Sequence, residues 1–161
     1  MHASIKPLAI AAFALAASLG AAQAQDTVDA SQPEALLALM QGFGAATLGV
    51  DDYGDPMIET ELAGRPVSLQ FRHCVENVDC KLVSFYARWE QPDVPDYLMP
   101  DWNAQTLLSR AYEESPGVQV LTLDVNLVGG VTAANFTDTI DWFAGSVADF
   151  QDQVIDAAAG N

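Results

Sequence analysis

The stretch VQVLTLDVNLVGGVTAANFTDTIDWF, residues 118–143, contains a strand, a corner and the start of a helix. Its first half alternates with period two, which is typical of a strand that has one buried face. One side carries Leu121, Leu123, Val125 and Leu127, and the other carries Thr122, Asp124 and Asn126. Gly129 and Gly130 follow, and glycine adopts backbone angles that other residues resist. We therefore expect a tight corner that delivers the strand into a helix.

The helix after the corner has a narrow apolar side. Thr132 is a natural N-cap, because its side chain can accept a hydrogen bond from the first helical turn. The apolar side is formed by Phe136, Ile140, Phe143, Val147, Phe150 and Val154, and the opposite side by Asp138, Asp141, Asp149, Asp152 and Asp156. This periodicity predicts an amphipathic helix on the core. Trp142 lies outside the apolar stripe, so either a neighbouring loop or the short helix covers it, or it is a candidate surface for binding a partner.

Upstream of this stretch, the same patterns predict a helix, four mostly antiparallel strands, a short helix and a further strand. Residues 67–71 alternate most cleanly, with Val67, Leu69 and Phe71 on one side. The full order is α-β-β-β-β-α-β-β-α. Segregated helices and antiparallel strands predict a single α+β domain, with the helices on one face of the sheet.

The other face of the predicted sheet is polar and open. It would present Tyr86 between Arg72 and Arg88, with Asp124 and Asn126 on the neighbouring strand. These five residues are candidates for protein binding, together with Trp142. Glu59 and Glu61 would lie on the same polar face, where carboxylates are usually solvated rather than catalytic.

The first 24 residues have the features of a signal peptide. Lys6 precedes an apolar run of about 14 residues, too short to span a membrane, and the sequence AQA at 22–24 fits a cleavage site. We predict a signal peptide at 1–24, a flexible segment at 25–32 and one domain at 33–157. The mature protein would be periplasmic or secreted, with no stable membrane insertion after removal of the leader.

The composition is strongly acidic, with 22 acidic and six basic residues and a net charge of −16. Removal of the leader would take away one base, Lys6, and no acid. Such a charge repels phosphate, so it excludes nucleic acid as a partner and argues against phosphate binding at Gly129 and Gly130. It is compatible with solubility, with a basic partner or with a divalent cation.

Two cysteines, Cys74 and Cys80, lie in the sequence HCVENVDC. In an exported protein the first interpretation is a disulfide between them. The alternative is a metal site formed by His73 and the two cysteines, which would require a fourth ligand and reduced thiols.

Other candidate sites are weaker. Asp51, Asp52 and Asp55 lie in one turn and are weak calcium candidates, although acidic residues and glycine also favour turns without an ion. His73 is the one histidine after the leader, which argues against Ser-His-Asp and two-histidine metal mechanisms. We predict no catalytic residue and no cofactor.

Several segments together resemble the YbjN family of bacterial domains. They are DDYGDP at 51–56, DWN at 101–103, RAY at 110–112, and DVNLVGGVTAANF at 124–136 followed by Trp142. The resemblance spans about residues 33–156. It implies a fold like that of type III secretion chaperones, a dimeric tendency and a regulatory or sensory role, and it brings no catalytic residue.

The sequence therefore predicts a non-catalytic exported binding protein or chaperone-like adaptor, linked to regulation or stress response. Its partner would be an unidentified protein or a second copy of the chain. One alternative is a small acidic protein that binds divalent metal. A further alternative is a hydrolase that uses surface carboxylates.

Overall fold

The computed structural model of the protein describes residues 26–91 and 93–160. The signal peptide predicted at 1–24 lies outside this range. Part of the segment that the sequence predicts to be flexible, residues 25–32, forms a short strand. Thr27–Val28 forms strand β1, which pairs with β8 (Val131–Thr132). Val28 and Ala30 are buried because these two apolar side chains, two residues apart, face the core.

A six-stranded antiparallel sheet forms the centre of the fold, in the order β2-β3-β4-β5-β7-β6. The strands are β2 (Ala46–Val50), β3 (Pro56–Leu62), β4 (Arg65–Arg72), β5 (Leu82–Glu90), β6 (Arg110–Ser115) and β7 (Val118–Asn126). Each predicted alternation becomes a strand, and the predicted α+β class is confirmed.

The helices are α1 (Pro33–Met40), α2 (Leu98–Gln105) and α3 (Ala133–Phe150). The long helix then passes through a π-helical turn (Gln151–Asp156) and ends as α4 (Ala157–Ala159). Thr132 caps α3, since its Oγ1 accepts a hydrogen bond from the backbone N of Asn135 at 3.1 Å. Among the described residues, no helix is both long and apolar enough to cross a membrane.

The core lies between the sheet and α3. All six residues of the predicted apolar stripe are buried there. Phe85 of β5 packs against Phe136 and Phe143, with ring centroids 5.9 and 5.1 Å apart. Farther along, Phe150 contacts both Trp89, at 4.9 Å, and Trp102 of α2, at 5.1 Å. Phe150 therefore joins the sheet, α3 and α2.

The π-helical turn is held by the side chain of Gln151. Its Oε1 accepts hydrogen bonds from Trp89 Nε1 at 2.7 Å and from Arg65 Nη2 at 2.8 Å. The Arg65 guanidinium also lies over the Trp89 ring, 5.1 Å from its centroid. A π-helical turn commonly marks a local adjustment of a helix, and here it brings one amide to two donors of the sheet.

Cys74 and Cys80 form a disulfide, with a Cα–Cα distance of 3.8 Å. The loop that it closes is tied to the acidic turn, because Asn77 Nδ2 donates to the carbonyl of Tyr53 at 3.0 Å and to Asp55 Oδ1 at 2.9 Å. The alternative of a metal site at His73, Cys74 and Cys80 does not fit, because both cysteine thiols are used in the disulfide.

The predicted corner has positive φ at both glycines, +85° at Gly129 and +78° at Gly130.

Candidate functional site

The polar face of the sheet contains the residues that the sequence places there. Ser68 lies opposite Tyr86, and Tyr86 lies opposite Thr122, so these three side chains form a row across β4, β5 and β7. A second row joins Gln70, Ser84 and Asp124. Arg72 and Arg88 lie at the two ends of this face, and Asn126 lies beyond Asp124.

Most of these polar groups already bond to one another. Ser84 Oγ donates to Asp124 Oδ1 at 2.5 Å. Arg72 donates to Gln70 and lies 3.7 Å from Asp51 Oδ2. A docking partner would have to break or share these interactions, which lowers the net gain from binding at this face.

Glu114 completes the arrangement, and sequence analysis missed it. The pairing of β6 with β7 is irregular between Glu113 and Ser115, and Glu114 lies in this bulge. From there it accepts a hydrogen bond from the Tyr86 hydroxyl and forms a 2.9 Å ion pair with Arg88. A bulge redirects a side chain in this way, but period-two patterning does not reveal it.

Part of the polar face is buried, although the sequence predicts that this face is open to solvent. Val120 lies opposite Arg88 on this face and is 0% exposed, and Thr122 is buried beside it. Thr122 Oγ1 donates to the carbonyl of Phe85 at 2.8 Å, which satisfies the buried hydroxyl.

Tyr86 titrates unusually in this setting. Burial, and then the hydrogen bond to Glu114, raise the pKa of the Tyr86 phenol well above the ordinary tyrosine value of about 10. The protonated Tyr86 phenol thus contributes to the free energy of unfolding. This contribution is fully present below about pH 10 and is lost as the pH rises through the raised pKa of Tyr86.

In an ultraviolet absorbance titration of the folded protein, we expect Tyr86 to ionise late, above the ordinary tyrosine pKa of about 10. Tyr86→Phe should remove this late step, and Glu114→Gln should move it to lower pH, because the substitution removes the nearby negative charge. Identical titration curves for the wild type and Tyr86→Phe would contradict this assignment.

The acidic turn uses its carboxylates to build the turn itself. Asp51 Oδ1 accepts hydrogen bonds from the backbone N of Tyr53 at 2.9 Å and of Asp55 at 3.0 Å. Asp55 Oδ1 accepts from Asn77, as described above, while Asp52 is exposed. Across residues 26–91 and 93–160, no group of three or more potential metal ligands is found. The turn chemistry therefore accounts for Asp51 and Asp55 without an ion.

Trp142, unlike the residues of the polar face, lies beside a groove. Its side chain is 52% exposed on α3 and borders a groove of about 470 Å³ between α2 and α3. We call this the α2–α3 groove; it is lined by Trp102, Gln105, Thr106 and Leu107 on one side and by Asp141, Trp142, Gly145, Ser146 and Asp149 on the other. Its volume lies within the range of small-ligand and peptide pockets.

Helical spacing builds the α3 wall of the groove. Asp141, Gly145 and Asp149 follow one another at intervals of four, which places them on one side of the helix. A Cβ atom at Gly145 would meet nothing within 4 Å, so the middle of this wall is open. The two carboxylates thus stand at either end of a recess.

The opposite wall continues into the connector between α2 and β6, residues 106–109, which carries two exposed leucines. Leu107 is 76% exposed and Leu108 is 66% exposed. Leu108 has φ +67°, and the backbone N of Ser109 donates to the carbonyl of Leu107 at 2.8 Å, as in a rare and strained γ-turn. A left-handed backbone at a leucine is energetically unfavourable, and residues strained in this way cluster at functional sites.

Two buried polar groups beside the groove have no hydrogen-bond partner among the described residues. They are Nε1 of Trp102, whose residue is buried in the groove wall, and Oγ of Ser109, at the end of the connector. Buried donors are nearly always paired in native proteins. Trp102 and Ser109 therefore each retain an unused hydrogen-bonding group beside the groove.

Sequence analysis found Trp142 but missed Trp102. Trp102 lies in the short helix α2, which shows little amphipathic character. In the sequence, Trp102 lies five residues before the apolar pair Leu107 and Leu108, but this spacing does not show that α2 packs beside α3.

A comparison with family models identifies the family of the chain. The family model described as "YbjN: Putative bacterial sensory transduction regulator" matches residues 32–156. The crystal structure of YbjN from E. coli is similar, with 14% sequence identity and a TM-score of 0.48 over 81% of this chain and 98% of that chain. No curated protein matches the sequence.

Proposed function

The chain belongs to the YbjN family, and from this premise we propose that it is a non-catalytic, exported adaptor that captures a protein partner in the α2–α3 groove. The family description as a sensory transduction regulator fits a protein that acts by binding. The proposal therefore assigns this protein a place in regulation or stress response through the partner that it holds.

The observation that carries the proposal is the combination of exposed apolar side chains and unpaired buried donors at one place. Trp142, Leu107 and Leu108 present apolar surface to water, whereas Tyr86, Arg72 and Arg88 of the polar face are bonded to neighbours. Aromatic anchors beside a recess are typical of the centres of protein interfaces. We thus favour the groove over the sheet face.

Export is supported by two independent features. The first 24 residues have the pattern of a secretory leader. The Cys74–Cys80 disulfide is of the kind that forms and persists in an oxidising compartment. We accordingly place the mature protein in the periplasm or outside the cell.

Position-resolved cross-linking tests the proposal. A photoreactive amino acid is introduced at Leu107 in the groove or, as the matched control, at exposed Asp124 on the polar face. We expect a partner to be cross-linked in the periplasm from position 107 and not from position 124. Cross-links from 124 alone would overturn the choice of surface, and cross-links exclusively to cytoplasmic proteins would overturn export.

A further inference from the structure

We infer that the α2–α3 groove recognises a short, extended peptide segment in which lysine or arginine alternates with apolar residues. This inference rests on the proposed function, since it names the chemistry of the partner at the same site. It is carried by the charges of the groove walls, by the two indoles and by the unpaired donors.

The charge of the groove is uniformly negative. Asp141 and Asp149 line it, and Asp101 lines an adjoining recess that also shares Trp102 and Gln105. Neither recess contains a lysine, arginine or histidine, and Asp141 and Asp149 form no ion pair with other described residues. A cation is the complementary charge for such a site.

The aromatic walls suit a cationic side chain better than a compact ion. A lysine or arginine can lay its methylene stem along an indole and keep its charged end in water or near a carboxylate. Trp142 offers such a surface, and a cation over an indole face gains further electrostatic attraction. Leu107 would contact the apolar residues that alternate with the basic ones.

The dimensions favour an extended segment of a few residues. Asp141 and Asp149 are eight residues apart on a helix, which corresponds to about 12 Å along its axis. An extended chain advances about 3.3 Å per residue, so roughly four residues span this distance. The same separation prevents both carboxylates from binding one metal ion, because calcium–oxygen distances are about 2.3–2.6 Å.

The unpaired donors add a reason for a peptide. Main-chain carbonyls are acceptors that Trp102 Nε1 and Ser109 Oγ lack in the described structure. Both atoms are covered, so binding has to move a neighbouring segment. Ser109 itself ends the connector, whose strained turn at Leu108 makes it the segment that we infer would shift.

The described residues of a second copy of the chain do not supply this ligand. Within the described residues, the basic side chains are Arg65, Arg72, Lys81, Arg88 and Arg110. Four of these five lie in strands of the central sheet, and Lys81 immediately precedes β5. None offers a free segment with alternating basic and apolar residues.

The test uses two model peptides, acetyl-Leu-Lys-Leu-Lys-amide and acetyl-Leu-Glu-Leu-Glu-amide, added to the ¹⁵N-labelled mature chain. The protein has three tryptophans, and each gives one indole N–H signal. The lysine peptide should shift the signals of Trp102 and Trp142 and leave that of Trp89, which is bonded to Gln151. The glutamate peptide should shift none of them.

Charge removal refines the test. The double variant Asp141→Asn, Asp149→Asn should bind the lysine peptide about fivefold more weakly and with less dependence on salt. Its matched control is Asp138→Asn, Asp152→Asn, which removes two exposed charges outside the groove lining and should bind more nearly as the wild type does.

Equal binding of the two peptides, no indole shift with either, or equal affinity of the groove variant and its control would overturn the inference. These outcomes are separate from the proposed function. A partner that still cross-links from position 107 would leave the adaptor proposal standing, with a ligand of different chemistry. Loss of that cross-link would overturn both the adaptor proposal and the inference about the peptide.

Discussion

Phe150→Ala should lower the free energy of unfolding by about 3–5 kcal/mol, the typical cost of truncating a fully buried aromatic side chain. Phe150 is completely buried and contacts the rings of Trp89 and Trp102. Alanine would leave a cavity where β5, α2 and the end of α3 meet. Urea denaturation followed by circular dichroism measures the loss.

Phe150→Leu is the companion variant, because leucine fills more of the space and should cost less. It remains available for measurement if the alanine variant does not fold. A loss below about 1 kcal/mol for Phe150→Ala would contradict the packing described here. The groove should also be perturbed in the alanine variant, since Trp102 rests edge-on against Phe150.

Trp142→Ala should reduce partner capture about 30-fold, which corresponds to the roughly 2 kcal/mol expected of an interface hot spot. Its side chain is half exposed and outside the core, so the free energy of unfolding should change by less than about 0.5 kcal/mol. The yield of the cross-link from position 107 measures capture, and thermal unfolding measures stability.

Tyr53→Ala is the matched control for Trp142→Ala, because Tyr53 is an aromatic residue that is 83% exposed in the acidic turn. It should capture the partner as well as the wild type does. An equal reduction in both variants would indicate a general effect of removing surface aromatics. Unchanged capture in Trp142→Ala would contradict the role given to the groove.

Local patterns predicted most of the fold. The stripe from Phe136 to Val154 is buried along its length, Thr132 caps α3, and Gly129 and Gly130 form the corner. These features depend on residues close in sequence, for which helical and strand periods are direct physical signals. The family match at residues 32–156 agrees with the resemblance inferred from short segments.

Features that depend on contacts between distant elements could not be predicted. Glu114 reaches Tyr86 and Arg88 because of a bulge in β6, and Trp102 meets Phe150 because α2 packs near the end of α3. The π-helical turn likewise depends on Gln151 meeting Trp89 from β5. Neither hydrophobic period nor residue propensity carries this information.

The candidate site was also only partly predictable from the sequence. Sequence analysis identified Trp142 because an indole on the polar side of a helix is unexpected, and the structure places it at a recess. It also favoured the open sheet face, where the structure instead finds paired charges and buried Val120 and Thr122. The exposure of side chains and the pairing of charges can be read only from coordinates. They favour the α2–α3 groove over the polar face of the sheet as the binding surface.

The comparison of cross-linking from positions 107 and 124 tests the central claim most directly, because it locates the partner on one of the two surfaces. The account predicts one cross-linked species from position 107, strongly reduced by Trp142→Ala, and none above background from position 124. A partner that cross-links from position 124 and is insensitive to Trp142→Ala would contradict the account.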